Sequence, residues 1–246
     1  MKKIILSFIA TLFLSPLAYA AVMNSTSYSI QSDSINFGGG KSGSTNYSQE
    51  STFGEIATGL SNSTNYQIKA GYQQMQEVYL SIATVADVTL SPSINSTGGG
   101  TANGSTVVTV TTDDPAGYEL YIKASSTPAL KSGSNSFADY VPAGANPDLT
   151  FTVGAATSAF GFSPEGSDIV QKYKDNGSTC NAGSSDTTNA CWNALSTVNE
   201  LIAKKTTGNH PSGTATTLKF RAQSGVSNVQ PVGTYTATTT VTAIAL

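Results

Sequence analysis

The chain has 246 residues with 12 Lys and Arg against 15 Asp and Glu, and its formal net charge of −3 excludes the basic surface that sequence-independent nucleic-acid binding requires. A single His leaves little material for a catalytic triad or a His-containing zinc site. The 33 Ser, 33 Thr and 23 Gly, together with 39 % hydrophobic residues, indicate a folded, exported, all-β protein and not a disordered chain.

The first predicted element is a secretory signal peptide. A positive start at residues 1–3 precedes an apolar run over residues 4–14. Ala18 and Ala20 then supply the small residues that precede a cleaved bond, so we expect cleavage after Ala20. The alternative, a membrane anchor, is disfavoured because the run is shorter than the ~20 residues that span a bilayer. No later segment is apolar enough to span one, so no transmembrane segment is expected in the mature chain.

A four-residue motif recurs every 19 residues after the signal peptide. Its copies are Ser25-Thr26-Ser27-Tyr28, Ser44-Thr45-Asn46-Tyr47 and Ser63-Thr64-Asn65-Tyr66. Glycine-rich breaks separate the copies at residues 38–40 and 54–59. A unit of this length is too short for a pair of helices and predicts a strand–turn–strand element.

The motif copies and the closing pair Gly71-Tyr72 resemble a short repeat found near the N-termini of many bacterial exported and cell-surface proteins. The resemblance covers residues 25–78. It implies a bacterial protein exported to the cell surface, and it implies no particular activity.

From residue 78 onward, apolar and polar side chains alternate, as in strands that bury one face. A β-branched run at residues 107–112 and an alternating run at residues 118–123 flank a turn at residues 113–117. This order predicts a hairpin of two neighbouring strands with one buried face. Leu218 and Phe220 alternate with charged residues in the same way.

Two segments carry a second resemblance. Residues 106–124 and the closing run with Gly233, Tyr235 and alternating Thr residues resemble the first and last strands of immunoglobulin-like domains in bacterial surface and pilus-associated proteins. The resemblance implies a β-sandwich with a structural or adhesive role.

The predicted fold class is therefore all-β, with short N-terminal strand–turn–strand repeats followed by an immunoglobulin-like β-sandwich. The expected domains are a signal peptide over residues 1–20, a β-repeat region over residues 21–78 and the sandwich over residues 79–246. A long loop-rich insertion is expected at about residues 125–212.

The insertion holds the candidate ligand-contacting residues. Cys180 and Cys191 are predicted to form a disulfide, because exported thiols are usually oxidised and two Cys allow one pairing. Trp192 and Tyr173 are candidates for stacking on a ligand. Residues 197–205 suit either a helix or a strand, and their Gly and Thr flanks favour the strand.

Carboxylate pairs are the strongest sign of catalysis in the sequence, since glycosidases need only two acidic side chains. The candidate pairs are Asp113 with Asp114, Asp139 with Asp148, and Glu165 with Asp168. Turn formation explains these acidic residues more simply. Asp175-Asn176-Gly177 could give oxygens to calcium but lacks the six to eight ligands required. No catalytic residue, cofactor or metal is therefore predicted, and His210 is expected to lie in an exposed loop.

The closing strand places a row of Thr side chains on one face. Its members are Thr234, Thr236, Thr238, Thr240 and Thr242. A solvated face explains the row, because Thr favours strands. The alternative is an edge for strand exchange with another subunit, since Ile244 and Leu246 continue on the Thr face.

These observations predict a non-enzymatic, secreted or cell-surface protein with a structural or adhesive role, whose partners are other surface proteins, itself or surface glycans. One alternative is a glycan-binding module or a carbohydrate-active enzyme that uses the insertion. The other is a fibre or pilus-like subunit that assembles by strand exchange.

The export prediction has a direct test. We expect N-terminal sequencing of the protein produced in a bacterial host to begin at Ala21, because the signal peptide is removed during export. Protein recovered from the cytoplasm with Lys2 and Lys3 still attached would contradict this prediction.

Overall fold

The structure, a computed structural model, describes residues 23–24, 29–30, 38–44, 48–53, 59–62, 67–70, 78–83 and 85–246. The predicted signal peptide and the Tyr residues of the three motif copies lie outside the described residues. The chain divides into two compact units, Met1–Glu77 and Val78–Leu246. Strands dominate the described residues of both units, and one short 3-10 helix is the helical element among them, so the all-β prediction is confirmed.

Among its described residues, the first unit contains three antiparallel strand pairs. They are β1 (Met23–Asn24) with β2 (Ser29–Ile30), β3 (Gly38–Gly43) with β4 (Ser48–Phe53), and β5 (Gly59–Asn62) with β6 (Gln67–Ala70). The predicted glycine break at residues 38–40 is wrong, because these residues pair with residues 51–53 inside β3. Glycine is tolerated there because this exposed part of the strand has no core to fill.

The second unit contains ten strands among its described residues. In chain order they are β7 (Leu80–Ile82), β8 (Gly100–Thr112), β9 (Tyr118–Ala124), β10 (Lys131–Ser132), β11 (Asn135–Ser136), β12 (Ala138–Asp139), β13 (Ser158–Glu165), β14 (Glu200–Lys205), β15 (Thr214–Ser224) and β16 (Thr239–Ala245). The 3-10 helix spans Gln171–Tyr173. One sheet has five strands in the order β12-β13-β15-β8-β7, and the other has three in the order β14-β9-β16.

The two sheets pack through one shared apolar core, which makes the unit sandwich-like. Alternate residues of β8, β9 and β15 are buried, as the period-2 pattern predicts. The largest aliphatic and aromatic side chains of these three strands in the core are Val108, Val110, Tyr118, Leu120, Ile122, Leu218 and Phe220. Residues 85–94 add partly buried apolar side chains to the same core.

The predicted hairpin between residues 107–112 and 118–123 is wrong, although both segments are strands. β8 pairs with β15 and β7, whereas β9 pairs with β14 and β16. The turn at residues 113–117 therefore carries the chain from one sheet to the other. Both strands bury an apolar face, and packing these faces against each other removes more apolar surface from water than pairing the strands side by side.

The insertion supplies strands to both sheets. β13 pairs with β15 along its whole length, and β14 pairs with β9 through a bulge between Leu201 and Ala203. The strand prediction for residues 197–205 is thus confirmed for Glu200–Lys205. At the edge of β14 that does not pair with β9, the Val170 N–H donates to the Ile202 carbonyl and the Lys204 N–H donates to the Asp168 carbonyl.

Burial predicts a large difference between two chemically identical substitutions. Val110 is 0 % exposed in the core, whereas Val232 is 86 % exposed in a loop. We expect Val110→Ala to lower the free energy of unfolding by about 2 kcal/mol or more, because it removes buried methyl groups and leaves a cavity. The matched control Val232→Ala should change it by less than about 0.5 kcal/mol in urea denaturation. Equal effects of the two substitutions would contradict the placement of the core.

Candidate binding surfaces

The disulfide loop is the most constrained part of the insertion. The Sγ atoms of Cys180 and Cys191 lie 2.09 Å apart and their Cα atoms 5.6 Å apart, which are the distances of a disulfide. Both residues are buried. The pair closes residues 181–190 into a loop at the surface of the second unit.

Asp175 organises the backbone beside this loop. Its buried carboxylate accepts hydrogen bonds from the N–H groups of Gly177 (2.7 Å) and Thr187 (3.0 Å) and from the Thr187 hydroxyl (2.8 Å). Burial would raise the pKa of Asp175, but these hydrogen bonds outweigh burial and lower the pKa below its ordinary value. The carboxylate oxygens are therefore engaged by the loop itself.

The prediction of Tyr173 and Trp192 as ligand-stacking residues is wrong, because each residue is only 1 % exposed. The Tyr173 hydroxyl donates to Glu200 Oε1 (3.1 Å) and accepts from the Asn193 amide, and burial raises the pKa of Tyr173 well above its ordinary value. Trp192 Nε1 donates to the carbonyl of Asn189 at 2.8 Å. Both rings are interior packing residues with satisfied polar atoms.

Trp192 belongs to a second apolar cluster, formed with Tyr140, Phe151 and Ala159. The Phe151 ring stacks on Tyr140 at 4.2 Å between centroids and meets Trp192 edge-on at 5.3 Å. Ala159 belongs to β13 and lies on its opposite face from Phe160, which belongs to the main core. The insertion therefore covers part of the outer face of the five-stranded sheet.

Arg221 of β15 lies against this cluster. Its guanidinium carbon is 4.5 Å from the Trp192 ring centroid and 5.7 Å from that of Phe151, and its Nε donates to Asn103 Oδ1 at 2.7 Å. Burial lowers the pKa of Arg221 from its ordinary value. Sequence reasoning missed this residue, although a signal existed: it is the only Arg in the chain.

The uncovered part of the same sheet is an open polar surface, here named the β8–β15 face. It consists of the outward residues Thr101, Asn103, Ser105, Val107, Thr217, Lys219, Arg221 and Gln223. Register places Arg221 opposite Asn103 and Lys219 opposite Ser105. Lys219 forms an ion pair with Glu165 at 3.4 Å, so its charge is neutralised locally.

β16 forms an edge of the three-stranded sheet. The Ser125 N–H donates to the Thr238 carbonyl, and the Leu246 N–H donates to the Gly117 carbonyl. In the antiparallel register of β16 and β9, these bonds show that the N–H and C=O groups of the even-numbered residues of β16 point toward β9. The N–H and C=O groups of Thr239, Val241, Ala243 and Ala245 therefore point away from β9. Within the described part of the chain, these groups have no hydrogen-bond partner.

The five predicted Thr residues fall partly outside this strand. β16 begins at Thr239, so Thr240 and Thr242 lie within it, whereas Thr236 pairs instead with Lys131. The side chains of Thr234, Thr236, Thr238 and Thr240 are exposed, and that of Thr242 is half-buried.

Most of the candidate catalytic carboxylates form structural contacts. The Asp114 carboxylate accepts from the Ala116 N–H of the turn, and Asp139 accepts from the Ala129 N–H. Asp148 accepts from the Tyr140 hydroxyl at 2.6 Å, and burial together with this bond raises the pKa of Tyr140 to about 12. Glu165 and Asp168 form ion pairs with Lys219 and Lys205, respectively. The hydrogen bonds fix turns and loops, and the ion pairs link β13 and the segment before the 3-10 helix to neighbouring strands.

His210 and the acidic residues give no ligand cluster. His210 lies in an exposed loop, with its ring edge-on to Tyr79 at 5.4 Å. Within residues 23–24, 29–30, 38–44, 48–53, 59–62, 67–70, 78–83 and 85–246, no three His, Cys, Asp or Glu side chains are grouped to hold a metal ion.

Comparisons with known proteins returned no match: no protein-family model, no curated protein and no solved structure matches the chain. Among the residues that the structure describes, no helix is both long enough and apolar enough to cross a membrane. Functional inference therefore rests on the surfaces described above.

The lowered pKa of Asp175 predicts that the free energy of unfolding depends on pH. Because its folded-state pKa lies below the ordinary value of about 3.9, the carboxylate stabilises the fold above that pH, and the contribution is lost as the pH falls through the folded-state pKa. We expect Asp175→Asn to lower the free energy of unfolding by about 1 to 3 kcal/mol at pH 7, measured by urea denaturation. The difference from the parent protein should shrink below pH ~4.

The matched control is Asp87→Asn, since Asp87 is exposed. It should leave the stability nearly unchanged at both pH values. If Asp175→Asn cost no more than this control, or cost as much at pH 3 as at pH 7, the role assigned to the carboxylate would be wrong.

Proposed function

We propose that this protein is a non-enzymatic, exported structural or adhesive protein, and that copies of it join by adding strands along β16. The observation that carries the proposal is the row of outward backbone groups at residues 239, 241, 243 and 245. Such a row is a template for one more strand, and strand addition is a recurring mode of protein association.

The sequence of the edge supports this role. Edge strands are usually protected by charged side chains, Pro or bulges. Residues 234–246 contain no charged residue and no Pro, and β16 pairs with β9 without a register shift. Ile244 and Leu246 are 48 % and 43 % exposed beside the edge. The strand thus lacks charged side chains, Pro and bulges as protection against pairing. β7 of the other sheet lies beside β16, but it forms no hydrogen bond with the outward backbone groups.

A second copy of β16 is the partner that suits this edge best. Antiparallel pairing of two identical strands is self-complementary, and a two-fold arrangement of this kind is the commonest symmetry of protein assemblies. No charged side chain of β16 would meet its own copy, so like-charge repulsion across the pair is avoided. The two three-stranded sheets would then form one six-stranded sheet.

Export agrees with the other features of the chain. The signal peptide pattern predicts an oxidising compartment outside the cytoplasm. The disulfide between Cys180 and Cys191 suits such a compartment. The low charge and the exposed Thr side chains suit a protein whose role is contact at the cell surface.

Two substitutions test the edge. Ala243→Pro removes one outward N–H while leaving the bonds to β9 in place, because residue 243 does not use its N–H in that pairing. Thr242→Lys places a charge on the edge strand and keeps every backbone group. We expect the parent protein to associate as its concentration rises and both variants to remain monomeric in analytical ultracentrifugation.

The matched control is Thr109→Lys, which introduces the same charge at a half-buried outward Thr of β8. It should associate like the parent protein, and thermal unfolding should confirm that all variants fold. A parent protein that stays monomeric up to millimolar concentration would overturn the proposal, and so would dissociation caused equally by the control.

A further inference from the structure

We infer that the β8–β15 face binds a glycan that carries carboxylate groups, such as a uronic acid polymer, with Arg221 as the side chain that holds the carboxylate. This inference is independent of strand addition at β16, because β8 and β15 belong to the other sheet.

Arg221 is held in a defined orientation. The only Arg of the chain lies over the ring of the only Trp, with 4.5 Å between the guanidinium carbon and the Trp192 centroid. The amide oxygen of Asn103, opposite on β8, accepts from Nε at 2.7 Å. Stacking and this hydrogen bond together reduce the entropy that a long side chain loses on binding a ligand.

Most of the donors of this guanidinium are unused. A guanidinium has five N–H donors, and Asn103 accepts from Nε alone. Among the residues that the structure describes, no acceptor bonds to either Nη and no carboxylate forms an ion pair with Arg221. Partial burial of the Arg221 guanidinium without a counter-charge costs free energy. An anionic ligand that pairs with the guanidinium would offset this cost and gain binding free energy.

The free donors favour a carboxylate, because the planar fork of Arg matches the two oxygens of that group. Arg221 is also an isolated positive charge on this face, since Glu165 neutralises Lys219. An isolated charge suits one carboxylate at a time and does not form the basic patch that a polyphosphate requires.

The surroundings favour a glycan as the source of the carboxylate. The neighbours of Arg221 on the β8–β15 face carry hydroxyl and amide groups, notably Asn103, Ser105 and Gln223. These groups exchange hydrogen bonds with sugar hydroxyls as donors and as acceptors. The face is open along β8, where Asn103, Ser105 and Val107 are exposed.

A purely structural role for Arg221 explains less. Stacking on Trp192 and Phe151 would help to fasten the insertion to the sheet. It leaves unexplained why the pair is made by an Arg whose Nη groups are unbonded, since Lys or an apolar residue would also pack on the rings.

Fluorescence of Trp192, the only Trp, provides a direct measurement of binding. We expect oligogalacturonate to change this fluorescence in a saturable, salt-sensitive manner, and its fully methyl-esterified form to bind at least about tenfold more weakly. Arg221→Lys should weaken binding of oligogalacturonate by about tenfold, because it keeps the charge but loses the fork. Substitution of Arg221 also changes its contact with the Trp192 ring. Isothermal calorimetry on the same variants therefore measures binding without relying on Trp192 fluorescence.

The matched control is Lys123→Gln, which removes one positive charge from the outward side of β9 in the other sheet. It should bind like the parent protein, and thermal unfolding should show that Arg221→Lys remains folded. Equal binding of the methyl ester, equal loss in the control, or tighter binding of a Glu-rich peptide than of oligogalacturonate would each overturn the inference. These outcomes leave association through β16 untouched.

Discussion

The architecture of the second unit depends on the apolar faces of β8 and β9 being buried against each other across the core. Val108 and Val110 lie on one side, and Tyr118, Leu120 and Ile122 on the other. Because these strands follow each other in the chain, the five residues between them must pass from one sheet to the other. Gly117 makes this passage with φ +90, against the Lys205 carbonyl at the end of β14, where a Cβ would clash. The crossing point is therefore tied to a strand of the insertion.

Once β8 and β9 belong to different sheets, each needs partners from elsewhere in the chain. β15 and β14 provide them, and β13 then extends the larger sheet beyond β15. The insertion completes the sandwich from both sides, and its remaining residues fold back over β13 to form the cluster around Trp192. Arg221 lies at the boundary of this cover, where the sheet changes from a buried to an open outer face. A cation at that boundary can pack on rings and still reach solvent.

Sequence patterning predicted the buried faces well and the strand partners poorly. Alternation in β9 and β15 marks which side chains are buried, because each strand has one face toward the core and one toward polar surroundings. It carries no information on which strand lies alongside, and the hairpin prediction failed for that reason. β13 escaped detection because both of its faces are covered, by the main core and by the Trp192 cluster, so its sequence does not alternate. Tyr173 and Trp192 were misplaced because exposure was inferred from their loop-rich surroundings. The disulfide and Asp175 fix these loops internally, and hydrogen bonds between Phe162 of β13 and Asn193 hold them against the sheet.

The Thr pattern of β16 has a consequence for its edge. Even-numbered positions in this strand send side chains to solvent and backbone groups toward β9, so odd-numbered positions must send backbone groups outward and side chains toward the core. The exposed Thr residues are therefore not the groups that would pair with another strand; Val241 and Ala243 are, through their backbones. Thr keeps the neighbouring surface polar without adding charge, while the outward backbone groups of the strand remain without a hydrogen bond from the described residues. In β16, the same alternation thus directs the Thr side chains to solvent and the backbone groups of the odd-numbered residues away from β9.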